Sequence, residues 1–257
     1  MQDVTILIQG RISQESYNFY VKNYPNSNIV ISTWENHTLD VSNFPSNLKL
    51  ITAKLPKNGG YQNVNYQVES TVNGLMCVRT PYVIKIRGDE YYSNLEYVLS
   101  QIKLNSKKVH CSPVWFRHWE FMNYHISDHL IAGTTENLKL MFESTKYNLD
   151  NFLLYHIKDG EPQLYWEPEI NITRSYLMAK HPDKFGKVDG RILMIENFEV
   201  LDIQMMEPYK IVANIFKRKW TDGFIPERNY SISNIRQLLI PENKAYATDI
   251  PPRKPKR

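Results

Sequence analysis

Residues Pro81-Tyr-Val-Ile-Lys-Ile-Arg-Gly-Asp-Glu-Tyr-Tyr92 set the terms for the rest of the chain. The β-rich apolar run Tyr82 to Ile86 stops at a glycine and two acids, Asp89 and Glu90. A short apolar run bounded by turn residues reads as a buried strand, and the acids then sit at its carboxyl end. In open α/β sheets that end faces the crevice where ligands bind. Two carboxylates there suit Mg2+ or Mn2+, which take a few protein oxygens together with substrate phosphates. A strand followed by a solvated acidic turn fits the same residues equally well, so the flanking chain has to decide.

Upstream, Val4 to Ile8 is a compact apolar strand ending in Gln9-Gly10-Arg11. Ser13 to Asn23 carries an N-cap serine and Tyr17, Tyr20, Val21 and Tyr24 at helical spacing. Asn28 to Glu35 is a second strand, and Leu48 to Ala53 a third. Asn63 to Val78 places Val64, Val68, Thr71, Val72 and Leu75 along one helical face. Strands alternating with helices predict a mainly parallel sheet with right-handed crossovers. Downstream the pattern predicts a helix over 94–104, strands over 108–116 and 125–133, a helix from Thr135, and a helix over 170–180. Further strands are expected near Ile192–Ile195, Val200–Ile203 and Tyr209–Phe216, followed by a polar stretch from Trp220 to Asn243.

At 257 residues, with 42% hydrophobic and 12% aromatic content, one α/β domain over 1–246 is the simplest organisation. Two cysteines, Cys77 and Cys111, are too few for a disulfide scaffold and match no zinc spacing, which favours a reducing compartment. No run approaches the ~18 apolar residues of a membrane span, and Met1-Gln2-Asp3 lacks a basic signal-peptide start, so the chain reads as cytoplasmic, soluble or at most peripheral to a membrane. The net charge of +4 comes from Arg253, Lys254, Lys256 and Arg257; without them the basic residues equal the 27 acids. No nucleic acid is therefore expected as a partner, since the body has no basic excess. Residues 247–257 read as a flexible basic, proline-rich tail, for which weak salt-sensitive attachment to an anionic surface is the only binding role to weigh.

Several residues can carry chemistry. Gly10 permits close backbone approach after the first strand, and Arg11 is suited to bidentate pairing with phosphate. Thr33 and Trp34 end the second strand, where Trp34 either stacks on a base or packs the core. Asn65 and Gln67 lie in the first turn of a helix, where free backbone donors favour anions. Asp128 precedes an apolar strand and aims into the crevice; its neighbour His129, on a strand, would face the other way. Glu169 opens a helix and is either a favourable charge for the helix dipole or a general base. Nucleophile-elbow, Walker and zinc motifs are absent from the sequence.

Taken together, these landmarks resemble the WavE family of lipopolysaccharide-synthesis proteins, glycosyltransferases of the GT-A type, from about Val4 to about Leu177. The resemblance rests on Gln9-Gly10, Ile31-Ser-Thr-Trp-Glu35, Asn65-x-Gln67 with Gly74-Leu75, Lys85-x-Arg87-x-Asp89, Ser127-Asp128 with Gly133, and Pro168-Glu169. Two positions depart from the family pattern: Tyr66 stands where a basic residue is usual, and Ile170 where a Gln is usual.

The resemblance implies a single GT-A-like, Rossmann-like domain with a mostly parallel central sheet and a mixed C-terminal half. It implies a metal-dependent transfer from a nucleotide-sugar donor to a glycan or lipid-linked saccharide acceptor, in surface polysaccharide synthesis. Asp89, with Glu90 as second choice, would ligate Mn2+ or Mg2+; Arg87 takes the first acid's place in the Asp-x-Asp element of GT-A enzymes and joins Gln9, Gly10, Arg11, Thr33, Trp34, Asn65 and Gln67 as donor-binding residues. Glu169 would be the catalytic base, with Asp128 as competitor or acceptor ligand. A catalytically inactive nucleotide- or glycan-binding module of the same fold is the alternative.

Overall fold

A computed structural model describes residues 1–40, 45–114, 116–117, 119, 122–151, 153–158, 161–164, 167–202, 205–206 and 208–209. Strand β1 (Val4–Gln9) is buried along its whole length and lies between β2 (Asn28–Trp34) and β4 (Tyr82–Arg87), parallel to both. A strand covered on both faces has to be apolar throughout, which is why these runs read as continuous rather than alternating. Strand β3 (Leu48–Ala53) extends the sheet beyond β2. On the other side, β7 (Leu130–Thr134) pairs antiparallel with β4, β6 (Val109–Cys111) antiparallel with β7, and β10 (Phe198–Val200) parallel with β6. The seven-stranded order is β10-β6-β7-β4-β1-β2-β3.

Successive strand residues point to opposite faces, so each strand feeds two cores. Leu7, Val30, Val83 and Ile131 meet the helices α2 (Val64–Leu75), α4 (Thr135–Asp150) and α5 (Pro168–Lys180). Ile6, Ile8, Ile29, Ile31, Ile84 and Ile86 meet α1 (Gln14–Asn23) and α3 (Leu95–Leu104). Each such side chain contributes about 1.5–3 kcal/mol when fully buried, which is what holds the three layers together. The expected mixed α/β, Rossmann-like domain with a mainly parallel sheet is the observed fold.

Two close approaches fix the layers near the carboxyl edge. A Cβ at Gly74 would lie 2.3 Å from a Leu7 methyl, so this glycine lets α2 settle onto β1. Helix α1, capped by Ser13 Oγ accepting from the Ser16 amide, turns Tyr20 and Tyr24 inward. Their hydroxyls donate to the carbonyls of Glu90 (2.9 Å) and Tyr92 (2.8 Å), clamping the turn after β4. That turn continues into β5 (Tyr91–Tyr92), which pairs with β11 (Pro208–Tyr209). A hairpin of β8 (Tyr155–Lys158) and β9 (Glu161–Leu164) stands before α5.

Several expectations change. Ile192–Ile195 is helical, within α6 (Gly190–Asn197), because Asp189 caps it by accepting from the Arg191 amide. The strand expected over 125–133 pairs only from Leu130, since β4 ends at Arg87 and leaves 125–129 no ladder partner. The 108–116 strand stops at Cys111; Ser112 makes a last bond to Leu130, and Pro113 has no amide to continue. Helix α2 begins one residue late, after a 3-10 turn (Tyr61–Asn63) with Gln62 and Asn63 at positive φ. Of the strand expected over 209–216 only Tyr209 is described; the polar stretch and the basic tail lie outside the described residues. No described helix is long and apolar enough to cross a membrane.

Candidate active site

The single antiparallel insertion explains where charge collects. Because β7 runs against β4, with Ile86 opposite Leu130, the residues before β7 arrive at the same sheet edge as the residues after β4. Arg87, which ends β4, and Asp89 and Glu90 in the loop after it therefore meet His125, Asp128 and His129 from the loop before β7. Glu169, in the first turn of α5, closes over them: its Oε2 is 3.8 Å from His125 Nε2. The neighbouring β1 end supplies Gln9, Gly10 and Arg11. Gly10 sits at φ +85° with open space on its Cβ side, and a Cβ at Gly88 would strike the Arg11 carbonyl oxygen at 2.3 Å. Gly88 lets the β1 and β4 loops pack backbone to backbone, while Gly10 leaves open space beside them.

Asp128 is the best-held acid. Gln67 Nε2 donates to its Oδ2 at 2.8 Å, and the fully buried Lys85 ammonium donates to its main-chain carbonyl. Burial works to raise its pKa, but His129, Lys85, Arg87 and His125 outweigh burial and bring it down to about 2. Glu169 goes the other way: burial first, then the Asp128 charge, push it up to about 8. Its Oε2 is buried without a hydrogen-bond partner among the described residues, as is His125 Nδ1. His125 itself is brought down to about 3 by burial and by Arg117, so its imidazole is neutral. Two carboxyls in one site with pKa values driven apart is how acid and base roles are assigned at neutral pH.

Around them, His129 Nδ1 is paired with Glu90 Oε1 while Nε2 stands 3.9 Å from Asp128 Oδ1. Tyr92 donates to the other Glu90 oxygen at 2.8 Å. The expectation that Asp128 and His129 face opposite ways is overturned, since they occupy a loop where strand alternation does not apply. Arg87 grips Asp89 with two bonds of 3.0 Å and lies 3.7 Å from Glu90. Burial opposes its charge, but Asp128, Glu90 and Asp89 together keep the guanidinium firmly protonated.

The remaining sequence candidates divide. Gln9 borders the cluster, its Oε1 accepting from Ser70 Oγ at 2.8 Å on α2. Trp34 is 3% exposed and edges onto Tyr66 at 5.8 Å, so it packs the wall under the edge and offers no free ring face for stacking. Thr33 is buried beside it, its Oγ1 without a partner among the described residues. Asn65 donates to the Asn58 carbonyl at 3.1 Å and so holds the loop before α2 rather than joining the charged cluster. Sequence reasoning missed His125, His129 and Lys85. The only available signal for Lys85 was a charged residue in the middle of an otherwise apolar strand.

Asp89 is the expected cation ligand, with Glu90 as second choice. Glu90 is 2% exposed with both oxygens engaged, and Asp89, though 63% exposed, is gripped by Arg87. Among the described residues no group of three His, Cys, Asp or Glu side chains is arranged to hold a metal ion.

A doubly wound α/β domain with paired acids and a basic residue at its carboxyl edge defines the class. The family profile for WavE lipopolysaccharide synthesis matches residues 7–185, and the chain belongs to that family. Among solved structures, HddC from Yersinia pseudotuberculosis aligns at 11% identity and a TM-score of 0.34, covering 54% of this chain and 79% of that one. The same protein complexed with GMP-PN aligns at 14% identity and a TM-score of 0.35, with the same coverage. At such scores the likeness carries no functional weight. No curated protein matches the chain.

Proposed function

We propose that the protein transfers a sugar from a nucleotide-sugar donor to a hydroxyl of a glycan or lipid-linked saccharide acceptor. The observation that carries this reading is the opposed pair at the carboxyl edge: Asp128 held ionised and Glu169 held up to about 8. Membership in a lipopolysaccharide-synthesis family supports sugars as the substrates.

In this reading Glu169, as carboxylate, takes the proton of the acceptor hydroxyl while that oxygen bonds to the anomeric carbon of the donor sugar. The bond from that carbon to the phosphate oxygen breaks, and the electron pair leaves with the nucleoside diphosphate. A single displacement of this kind inverts the anomeric centre. Glu169 Oε2 is buried and faces neutral His125 at 3.8 Å, which leaves the other carboxylate oxygen to receive the proton. Asp128 stays ionised and favours positive charge developing on the sugar ring in the transition state. Arg11, Arg87 and the open side of Gly10 form the donor side.

The test is to incubate the protein with a panel of nucleotide sugars, with and without Mn2+, and follow release of nucleoside diphosphate. Release that is lost in Glu169→Gln when an acceptor is supplied, with donor binding retained, supports the reading. Donor binding without any release, in every condition, favours an inactive binding module of the same fold.

A further inference from the structure

Four observations bear on how the donor's phosphates are held. Arg87 stands at the carboxyl end of β4, opposite Gln9 in the parallel register, with its side chain 35% exposed at the edge. Asp89 grips it through both oxygens at 3.0 Å, a fork-to-fork geometry that aims a guanidinium and leaves its outer N–H groups available. Glu90 is closed to any cation from solvent, because His129 and Tyr92 occupy its oxygens and the Tyr20 clamp fixes its backbone. Finally, Gly88 packs directly on the Arg11 backbone, where a Cβ would meet the Arg11 carbonyl oxygen at 2.3 Å, and Gly10, at φ +85°, has open space on its Cβ side.

From these we propose that Arg87 is itself the cation that binds the donor's diphosphate, with Asp89 as the counter-ion that orients it, so that binding at this position needs no divalent metal. The proposal rests on the nucleotide-sugar reading and specifies its donor site. A guanidinium matches the spacing of two phosphate oxygens and remains charged throughout. When the bond from the anomeric carbon to the diphosphate oxygen breaks, the electron pair stays on that oxygen. Arg87 stabilises the new charge without moving a proton, as a positive group placed in advance. Glu90 then serves a different purpose, fixing His129 by its Nδ1 and leaving Nε2 turned toward Asp128.

The experiment measures binding of UDP, GDP, ADP and dTDP to the full chain by calorimetry, in excess EDTA and separately in Mn2+. The native protein, Arg87→Met, Arg87→Lys and Asp89→Asn are compared, each checked for an unchanged circular-dichroism spectrum. We expect one nucleotide to bind in EDTA with an affinity that Mn2+ leaves within about twofold. Losing a charge-assisted pair should weaken it ~10- to 100-fold in Arg87→Met. Arg87→Lys should recover only part of this, because a lysine cannot reproduce the fork. Asp89→Asn should weaken binding equally in EDTA and in Mn2+. Binding that appears only with Mn2+, and is abolished by Asp89→Asn, would overturn the proposal while leaving the nucleotide-sugar reading intact. If no nucleotide binds in either condition, both fall together.

Discussion

The two wings of the sheet make an instructive contrast. In the wing β1-β2-β3, every strand is parallel, and the residues at the carboxyl ends of β1 and β2, Gln9, Ser32, Thr33 and Trp34, are neutral and buried. At the β4-β7 seam the direction reverses, and Lys85 and Arg87 of β4 gather with Asp89, Glu90, His125, Asp128 and His129 of the two adjoining loops. The two wings differ in strand direction, because only an antiparallel neighbour delivers the residues preceding a strand to the edge where its partner ends. The wing is thus a stability device and the seam a chemical one, and mutations should separate them.

The largest effect is expected in the seam. Glu169→Gln should lower transfer ~10²- to 10⁴-fold, the usual contribution of a general base, measured as sugar-acceptor product by mass spectrometry. The same change should stabilise the fold at alkaline pH. A carboxyl raised from 4.5 to about 8 holds its proton more tightly when folded, so stability falls as pH rises across that window. Urea denaturation at pH 5 and pH 9 should show the variant gaining on the native protein, by on the order of a few kcal/mol, only at the higher pH.

Breaking the wing should have the complementary signature. Gly74→Val puts side-chain atoms where the Leu7 methyl already sits, 2.3 Å from a Cβ, and should cost about 1–3 kcal/mol in urea denaturation. Its pH–rate profile should keep the native shape. Tyr92→Phe tests the seam's interior: it removes the 2.8 Å bond to Glu90 and should cost about 1–3 kcal/mol, because a buried carboxyl oxygen loses its donor. Unlike the wing variant it should also lower transfer, because it loosens Glu90, which holds His129 beside Asp128. The smallest effect belongs to Gln67→Leu, where losing one hydrogen bond to Asp128 should raise that carboxyl's pKa by less than about one unit, or ~1.4 kcal/mol, read by NMR titration.

The wing is the more legible half. Val4 to Ile8 and Asn28 to Glu35 are strand-like runs too short for helices and flanked by turn residues, and Ser13 announces α1 as its cap. The seam is only partly legible. Asp128, Glu169, Arg87 and Gln67 stand out in the sequence, and the structure brings them together. His129 is hidden by strand alternation, an argument that holds only if 125–129 is a strand, and sequence alone does not reveal where a ladder runs out of partners. Glu90's burial follows from Tyr92 two positions away and from Tyr20 and His129, contacts made across 70 and 39 positions, which no local pattern encodes. Ile192–Ile195 shows the same limit at smaller scale, since a four-residue apolar run has no period of its own and the Asp189 cap decides it.

The most direct test of the account is the pH dependence of kcat/KM for sugar transfer, which reports the ionisation of the free protein's base. Glu169 must be ionised to accept a proton, so the rate should climb with pH and level off above about pH 8. A profile already flat from pH 5 to 9, or a limb near 8 that survives unchanged in Glu169→Gln, would contradict the assignment of Glu169 as the base.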